Sequence, residues 1–577
     1  MMIRVSVVAL CLLTVQVSLS QSGDESVIIR AMRDELNRNM DELKSDGYND
    51  PFFIGYGVTE LKTININALN GGIYQSSLDS ARSWYTRVMV GDYAVNDENY
   101  NDPNMVFTQD PGYSNLPLDD NYNGIRRALW ISTNNIYKAA ARLQKSKTDL
   151  YKEIGIKELP LKDFAEAPKV QIYDRKPIRI PDKDEWDKRV AELSAQFLDI
   201  PEIFRSAIGF FYIGANHFFV NSEGIEVVTP HELGYLTISV QVIDDDFQLV
   251  TEELAYLVSS IEDLPKEEVI AEDIEKLKAF LKAKKELETF EDIYYGPLLV
   301  EGDLVGNFFM NALMTGDVNI AADREGLNNT DKGLLETYVS NMKKEIARDP
   351  QRIANSDLTV TALSHLEDYK GIKLLGNYTV DSEGVIPPDT LKIVENGRLV
   401  TQLNGRTPVP LAPESNGHNR LNFNLGGTFK SIAPGILAIE SKRPIPGNEM
   451  KKGLIRKAEE SALDYALLFR PIKTNGISSM FQAYKVDLKT GEETPIRIDF
   501  VDLTNSISLF RINGISDDKV VSNQFWGNTG SGGVNGVPIT LIVPGSILVD
   551  GFELTGLSEN YQSNSRYVPT TPSPLAK

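Results

Sequence analysis

The chain is nearly devoid of cysteine. Cys11 is the only one in 577 residues, and it lies inside an apolar run, Val5 to Val17, that follows Arg4 and precedes Ser18-Leu19-Ser20. That order of charge, apolar stretch and small residues is the order of a secretory signal peptide. Residues 1–20 are therefore expected to be removed near Ser20, leaving Gln21 as the first mature residue of a protein exported to the periplasm or the cell exterior. The mature chain then carries no thiol. This excludes disulfides, a cysteine nucleophile and any Cys-ligated zinc or iron–sulfur centre.

Basic residues are also scarce. Lys and Arg number 59 against 81 Asp and Glu, giving a formal charge of −22. Binding nucleic acid through its phosphates requires clustered cations, so a nucleic-acid partner is not expected, and an anionic membrane surface is disfavoured on the same ground. Long hydrophobic runs are missing too. Spanning a bilayer takes roughly 20 apolar residues, the leader is shorter, and no later segment approaches that length, so no membrane span is expected. There is no tandem repeat.

What remains is a composition that folds. With 42% apolar and 24% charged residues, 577 residues exceed one ordinary core, and two large domains are expected. Ile28, Met32, Leu36, Met40 and Leu43 share one face of a helix. Ile64, Ile66 and Ala68 alternate before Asn70-Gly71-Gly72, and a second strand runs from Trp84 to Val90. Residues 123–144 have helical composition, and Pro160, Pro168, Pro177 and Pro181 mark an extended connector. Strands flank the turn Asn221-Ser222-Glu223-Gly224, and Ile274, Leu277, Leu281 and Leu287 lie on a charged helix that ends near residues 288–291. The second half shows a hairpin at Asn396-Gly397, strands at 496–501 and 539–543, and an amphipathic helix over 450–468. The expectation is an α+β fold. An N-terminal antiparallel sheet with helices spans 21–290, a C-terminal β-rich domain with a few helices spans 291–556, and 557–577 form a flexible tail.

Few residues are suited to catalysis. His231-Glu232 opens like a zincin motif, but Tyr235 stands where the second His would have to project. His217 and His365 have no second ligand at useful spacing. Ser531, within Asn528-Thr529-Gly530-Ser531-Gly532-Gly533, lacks a G-x-S-x-G elbow, and no phosphate-binding G-x-x-x-x-G-K occurs. Glu301, Asp303 and Asn307 are oxygen donors that a hard cation would accept, although the same spacing suits a solvated helix cap.

Two segments carry a resemblance: GPLLVEGDLVGNFFM at 296–310, and Thr407 to Pro410 with SNGHNRLNFNLGGT at 415–428. With FFIGYGV near Phe52, LDDNYNGIRRALW near Leu118 and PGSILVDGFEL near the end, they resemble the TldD/PmbA family of peptidases over nearly the whole mature chain. The family's zinc motif is H-E-x-x-G-H. Aligning Gly306 with its glycine places Gly302 at the first His, Asp303 at the Glu and Asn307 at the second His. The family's third ligand, a Cys, is expected near residues 528–533, where none exists. Asn419 departs from the family's S-N-G-H-G-R.

The resemblance implies a paired assembly around a chamber that admits unfolded peptide, in which one subunit carries zinc and its paralogue does not. This chain fits the zinc-free, TldE-like role: no cofactor of its own, zinc only in a TldD-like partner subunit, and Asn416, Gly417, His418 and Arg420 as candidate peptide-binding residues on the chamber wall. Two alternatives stay open. One is a stand-alone peptide-binding homodimer without catalysis. The other is an intrinsic metallopeptidase using unconventional ligands such as Asp303 and His418.

Overall fold

The computed structural model describes residues 26–102, 116–200, 203–243, 249–314, 318–321, 324, 332–424, 427–498, 508–530 and 533–555. The apolar leader, the C-terminal tail and Ser531 lie outside the described residues.

The first half is one large sheet with helices on one face. Helix α1 (Val27–Glu42) leads into β1 (Pro51–Leu69) and β2 (Gly72–Val90), followed by α2 (Tyr122–Ile154), the short β3 (Gln171–Tyr173) and α3 (Lys183–Ala195). Strands β4 (Ile203–Asn221), β5 (Glu226–Ile243) and β6 (Leu249–Val258) then precede α4 (Glu267–Glu286). The β1–β2 turn needs two residues in the left-handed region. Asn70 (φ 47°) and Gly71 (φ 81°) supply them, as a two-residue hairpin requires. Helix α2 starts where the Asn121 side chain accepts from Gly124 N, and it ends at the left-handed Gly155.

Strands β6, β5, β4, β1 and β2 pair antiparallel in that order. Alternation sends Ile54, Tyr56 and Val58 toward α1 and α2, and Ile64, Ile66 and Ala68 toward α3 and α4. The other face is buried as well. Leu61, Phe211, Ile213, Ala215 and Leu233 pack there against Leu421 and Phe525 of the second half. A sheet covered on both sides explains the nearly continuous burial along β1 and β4.

The second half is built around β7 (Ile293–Glu301), which feeds α5 (Asp303–Met314). After α6 (Lys332–Ile346) come β8 (Leu358–Ala362), the two-residue β9 and β10 at 368–373, β11 (Leu391–Glu395), β12 (Arg398–Leu399), β13 (Asn419–Asn424), β14 (Gly427–Ile432) and β15 (Ile436–Ser441). Helix α7 (Met450–Glu460) then precedes β16 (Tyr465–Pro471), β17 (Ile477–Ser478), β18 (Phe481–Asp487), β19 (Glu493–Ile496) and β20 (Ile512–Ile515). The long hairpin of β21 (Lys519–Gly530) and β22 (Gly533–Pro544) is followed by β23 (Ser546–Thr555). One sheet runs β19-β18-β16-β7-β23-β20, and another runs β12-β11-β8-β15-β22-β13-β14 with β21 beside β22. Between them lies the main core, where Leu298 and Val300 of β7 meet Val305, Phe308 and Phe309 of α5. Leu299 points the other way, onto Leu454 of α7. The fold is α+β, with a β-rich second half.

Two readings of local structure are corrected, and one is given its place. The helix expected over 450–468 stops at Glu460. The chain turns at Ala462 (φ 54°), and Leu467 and Leu468 belong to β16, each buried on a different side. A strand apolar on both faces has no period to tell it from a buried helix. His231, set aside as a metal ligand because of Tyr235, sits within β5, opposite Ala215, where no helix could project a second His beside it. Leu287 caps α4 and is not part of it.

The two halves are joined by buried charge. Glu383 is 2% exposed and binds Arg87 Nη1 at 2.8 Å and Lys430 Nζ at 2.7 Å. Arg87 also donates to Glu98 (2.6 Å). Arg406, fully buried, donates to Ala165 O and Glu223 Oε1 at 2.6 Å each and lies over the Phe164 ring. Burial opposes ionisation of Glu383, but Lys430 and Arg87 prevail and hold it well below the usual carboxylate range. Replacing it with Gln leaves two cations without their shared partner. E383Q is expected to lower unfolding stability by about 3 kcal/mol, read from the urea midpoint at constant slope. A loss under about 0.5 kcal/mol would show that the network contributes little.

Candidate functional site

A cleft of about 970 Å³ opens between the halves. One wall is the end of β6, Ala255 to Ser259, with the loop from Pro471 to Ser478. The other comprises the start of α5 and Val520 to Asn523 of β21. The loop is anchored from behind by Asp273, which is fully buried and accepts from Asn475 N (2.8 Å) and Tyr256 Oη (3.0 Å). β17 pairs with β6 only at Leu254 and Ala255, and β21 has β22 as its one strand partner. Among the described residues, β21 therefore presents an unpaired edge beside the cleft, and β6 does so past Ala255, since Ser479 N also bonds Glu253 O (3.0 Å).

The cleft floor holds the degenerate motif. At the end of β7, Gly302 N donates to Gly545 O (2.8 Å), and Val305 N to Gly302 O (3.1 Å) opens α5. Asp303, in the helix's first turn, and Asn307, one turn later, both line the cleft. Asp303 stays open to the cleft but has protein around most of it. This desolvation raises its pKa, and it has no hydrogen-bond or ionic partner among the described residues. Gly306 lies against β21, where an added Cβ would come 2.5 Å from Ser522 Oγ and 3.0 Å from Gln524 Nε2. Gln524 Nε2 donates to Asn307 Oδ1 and to Ser522 Oγ, both at 2.8 Å.

These groups do not fit zinc. Gly302 has φ 62°, and a Cβ there would sit 2.6 Å from Pro471 Cγ, so a histidine at this position requires the loop to move. The β21 residues that meet α5 are Ser522 and Gln524, upstream of the glycine-rich stretch in which the third ligand was sought. One carboxylate, two amides and a hydroxyl are a poor set for a metal that takes imidazole, thiolate and carboxylate. Two of the three oxygen donors that a hard cation would need are likewise committed elsewhere. Arg470 Nε takes Glu301 at 2.6 Å, and Asn307 Oδ1 accepts from Gln524. Among the described residues, no three His, Cys, Asp or Glu side chains gather closely enough for a metal ion.

The second motif is largely tied into the fold. Asn416 and Asn404 exchange hydrogen bonds, each side-chain oxygen accepting from the other's backbone N–H (2.9 and 3.0 Å). Gly417 has φ 72°, and a Cβ there would lie 2.9 Å from Pro387 N. His418 is 1% exposed, with Nδ1 2.8 Å from Asn416 O and Nε2 3.4 Å from Ser364 Oγ. Burial pushes its pKa down to about 3, so it is neutral. It does not line the cleft into which Asp303 opens. Arg420 donates to Pro434 O (2.8 Å), lies 4.2 Å over the Tyr378 ring and faces a smaller cavity of about 200 Å³. His217 and His231 line that cavity too, with pKa values lowered by burial to about 4 and about 3. His365 pairs with Asp389 (2.9 Å).

Ser522 and Gln524 were not singled out from sequence. Only the strand register and the approach of α5 bring them to the motif, and nothing within VSNQF signals it.

No protein-family model matches the chain, and no curated protein matches it. Among solved structures, the chain is similar to a modulator of DNA gyrase from Thermotoga maritima, at 14% identity and a TM-score of 0.51, covering 90% of this chain and 99% of that one. It is also similar to TldE from Thermococcus kodakarensis (12% identity, TM-score 0.48, 91% and 100% covered). A modulator of DNA gyrase from Bacteroides thetaiotaomicron gives 12% identity, a TM-score of 0.48, and coverage of 92% and 98%. The Thermotoga likeness is one of fold.

The buried His418 makes stability depend on pH in a defined direction. In the unfolded chain it takes up a proton as pH falls through about 6.5, whereas in the folded chain it does so only near 3, so acid favours unfolding. In H418N this contribution is gone. The stability difference between wild type and H418N is expected to be constant above pH 7 and to shrink by about 1.4 kcal/mol per pH unit from 6.5 to 4.5, measured by denaturant titration at each pH. A pH-independent difference would mean that His418 titrates alike in both states.

Proposed function

We propose that this chain is an exported, zinc-free member of the TldD/PmbA family that holds unfolded peptide in the interdomain cleft while a zinc-bearing, TldD-like paralogue paired with it performs hydrolysis. The observation that carries this reading is the cleft itself: a wide channel whose floor is the β7–α5 turn of the resembled motif, with Gly302, Asp303 and Asn307 where zinc chemistry would need His, Glu and His. The fold likeness to the Thermotoga protein, over 99% of that chain, supports membership. So do the motifs at 296–310 and 415–428.

The cleft suits an extended chain. The edge of β21, and the edge of β6 past Ala255 where β17 no longer covers it, offer backbone N–H and C=O groups, which bind any peptide backbone regardless of sequence. The walls carry both apolar Leu257 and Val520 and polar Ser522 and Asn523, so side chains of different kinds are accommodated. Export rests on the leader at 5–17. A stand-alone homodimer uses the same cleft and differs only in having no catalytic partner. Catalysis by Asp303 with His418 has less support, because the two do not share a cavity.

The test is to incubate the mature chain with a reduced, alkylated unfolded polypeptide, alone and with a signal-bearing paralogue that keeps H-E-x-x-G-H, and to follow fragments by mass spectrometry. No cleavage is expected from the chain alone, and chelator-sensitive cleavage is expected from the pair. Chelator-sensitive cleavage by the purified chain alone would overturn the proposal.

A further inference from the structure

Where the zinc ligands are missing, a hydrogen-bonded ladder has taken their place. Gln524 is 4% exposed and uses its amide group twice, toward Ser522 Oγ and toward Asn307 Oδ1. The second bond holds the Asn307 oxygen on the β21 side. The Asn307 Nδ2 hydrogens then have no partner among the described residues, and the side chain lines the cleft. Asp303 lies one helical turn earlier on the same face of α5, its carboxylate also without a partner and also lining the cleft. Side chains four apart on a helix stand about 5–6 Å from one another. The floor thus offers an amide donor held by Gln524 beside an unpartnered carboxylate acceptor.

An extended peptide presents that pair in reverse, since each residue directs its own C=O and N–H to the same edge of the strand. We infer that Asp303 and Asn307 together bind one backbone residue of a peptide lying in the cleft, with Asn307 Nδ2–H donating to its carbonyl and the Asp303 carboxylate accepting from its N–H. The ligand class is an extended polypeptide backbone, read without regard to side chains. Gln524 and Ser522 are positioning residues, acting through Asn307. The inference rests on the peptide-holding reading of the cleft and adds the atoms that hold the chain. It also assigns a purpose to the close contact at Gly306: a methyl group there would push β21 away and break the ladder.

The experiment uses the full mature chain and a fluorescent, unstructured peptide of about a dozen residues, with affinity read by anisotropy. N307D keeps the oxygen that Gln524 needs but removes the donor, and D303A removes the acceptor at a site open to solvent. Each is expected to weaken binding about tenfold, the scale of one hydrogen bond to a charged or well-placed partner. Peptides N-methylated at single successive positions supply a readout that requires no protein variant. One methylation is expected to weaken binding to wild type and to have no further effect in D303A. Unchanged affinity in both variants, with no sensitive methylation position, would overturn the inference and leave the peptide-holding reading intact. If wild type binds no extended peptide at all, that reading falls and the inference falls with it.

Discussion

Gly306 lets helix α5 lie against β21 so closely that an added methyl group would be 2.5 Å from Ser522 Oγ, and the character of the cleft follows from this contact. It sets Asn307 within reach of Gln524 and directs the first turn of α5 into the open space. A protein interior at this density does not absorb an extra carbon without moving a neighbour. The helix is held from the other side by Phe308 and Phe309, which are buried against β7 and the second sheet. Helix, strand and cleft floor therefore act as one rigid piece.

The walls depend on two further constraints. At β1 and β4 the first sheet is buried on both faces, by helices on one and by Leu421 and Phe525 on the other, so these strands cannot shift without opening a core. The seam between the halves is fixed by Glu383 with Arg87 and Lys430, and by Arg406 with Glu223. Buried pairs of this kind add little net stability over apolar packing but penalise misalignment heavily, because a shift strands a charge. That property suits a seam that keeps two halves in register beside an open cleft.

Much of this was legible in the sequence. Asn70-Gly71 marked the first hairpin because the turn demands two positive φ angles, and the α1 face was visible in its three- and four-residue spacing. The stretch 302–307 was found because it interrupts a pattern in which chemistry is expected. What stayed hidden depended on contacts between distant segments. Tyr465 to Pro471 is a strand buried on both sides and carries no period. Ser522 and Gln524 are ordinary strand residues until α5 lands on them. His418 and Asn416, set out as peptide-binding candidates, are occupied by Ser364 and Asn404, partners that spacing does not reveal. The obstacle to histidine at Gly302 comes from Pro471, in another strand altogether.

A cleft that holds peptide without zinc of its own should remain metal-free when zinc is offered. The protein without residues 1–20 would be equilibrated with a few equivalents of zinc at neutral pH, freed of unbound ion by gel filtration and analysed by elemental mass spectrometry, with D303A alongside. Well under 0.1 zinc per chain is expected for both proteins. Zinc near one per chain in wild type, lost in D303A, would mean that the cleft floor builds a metal centre after all and that the chain is a peptidase in its own right.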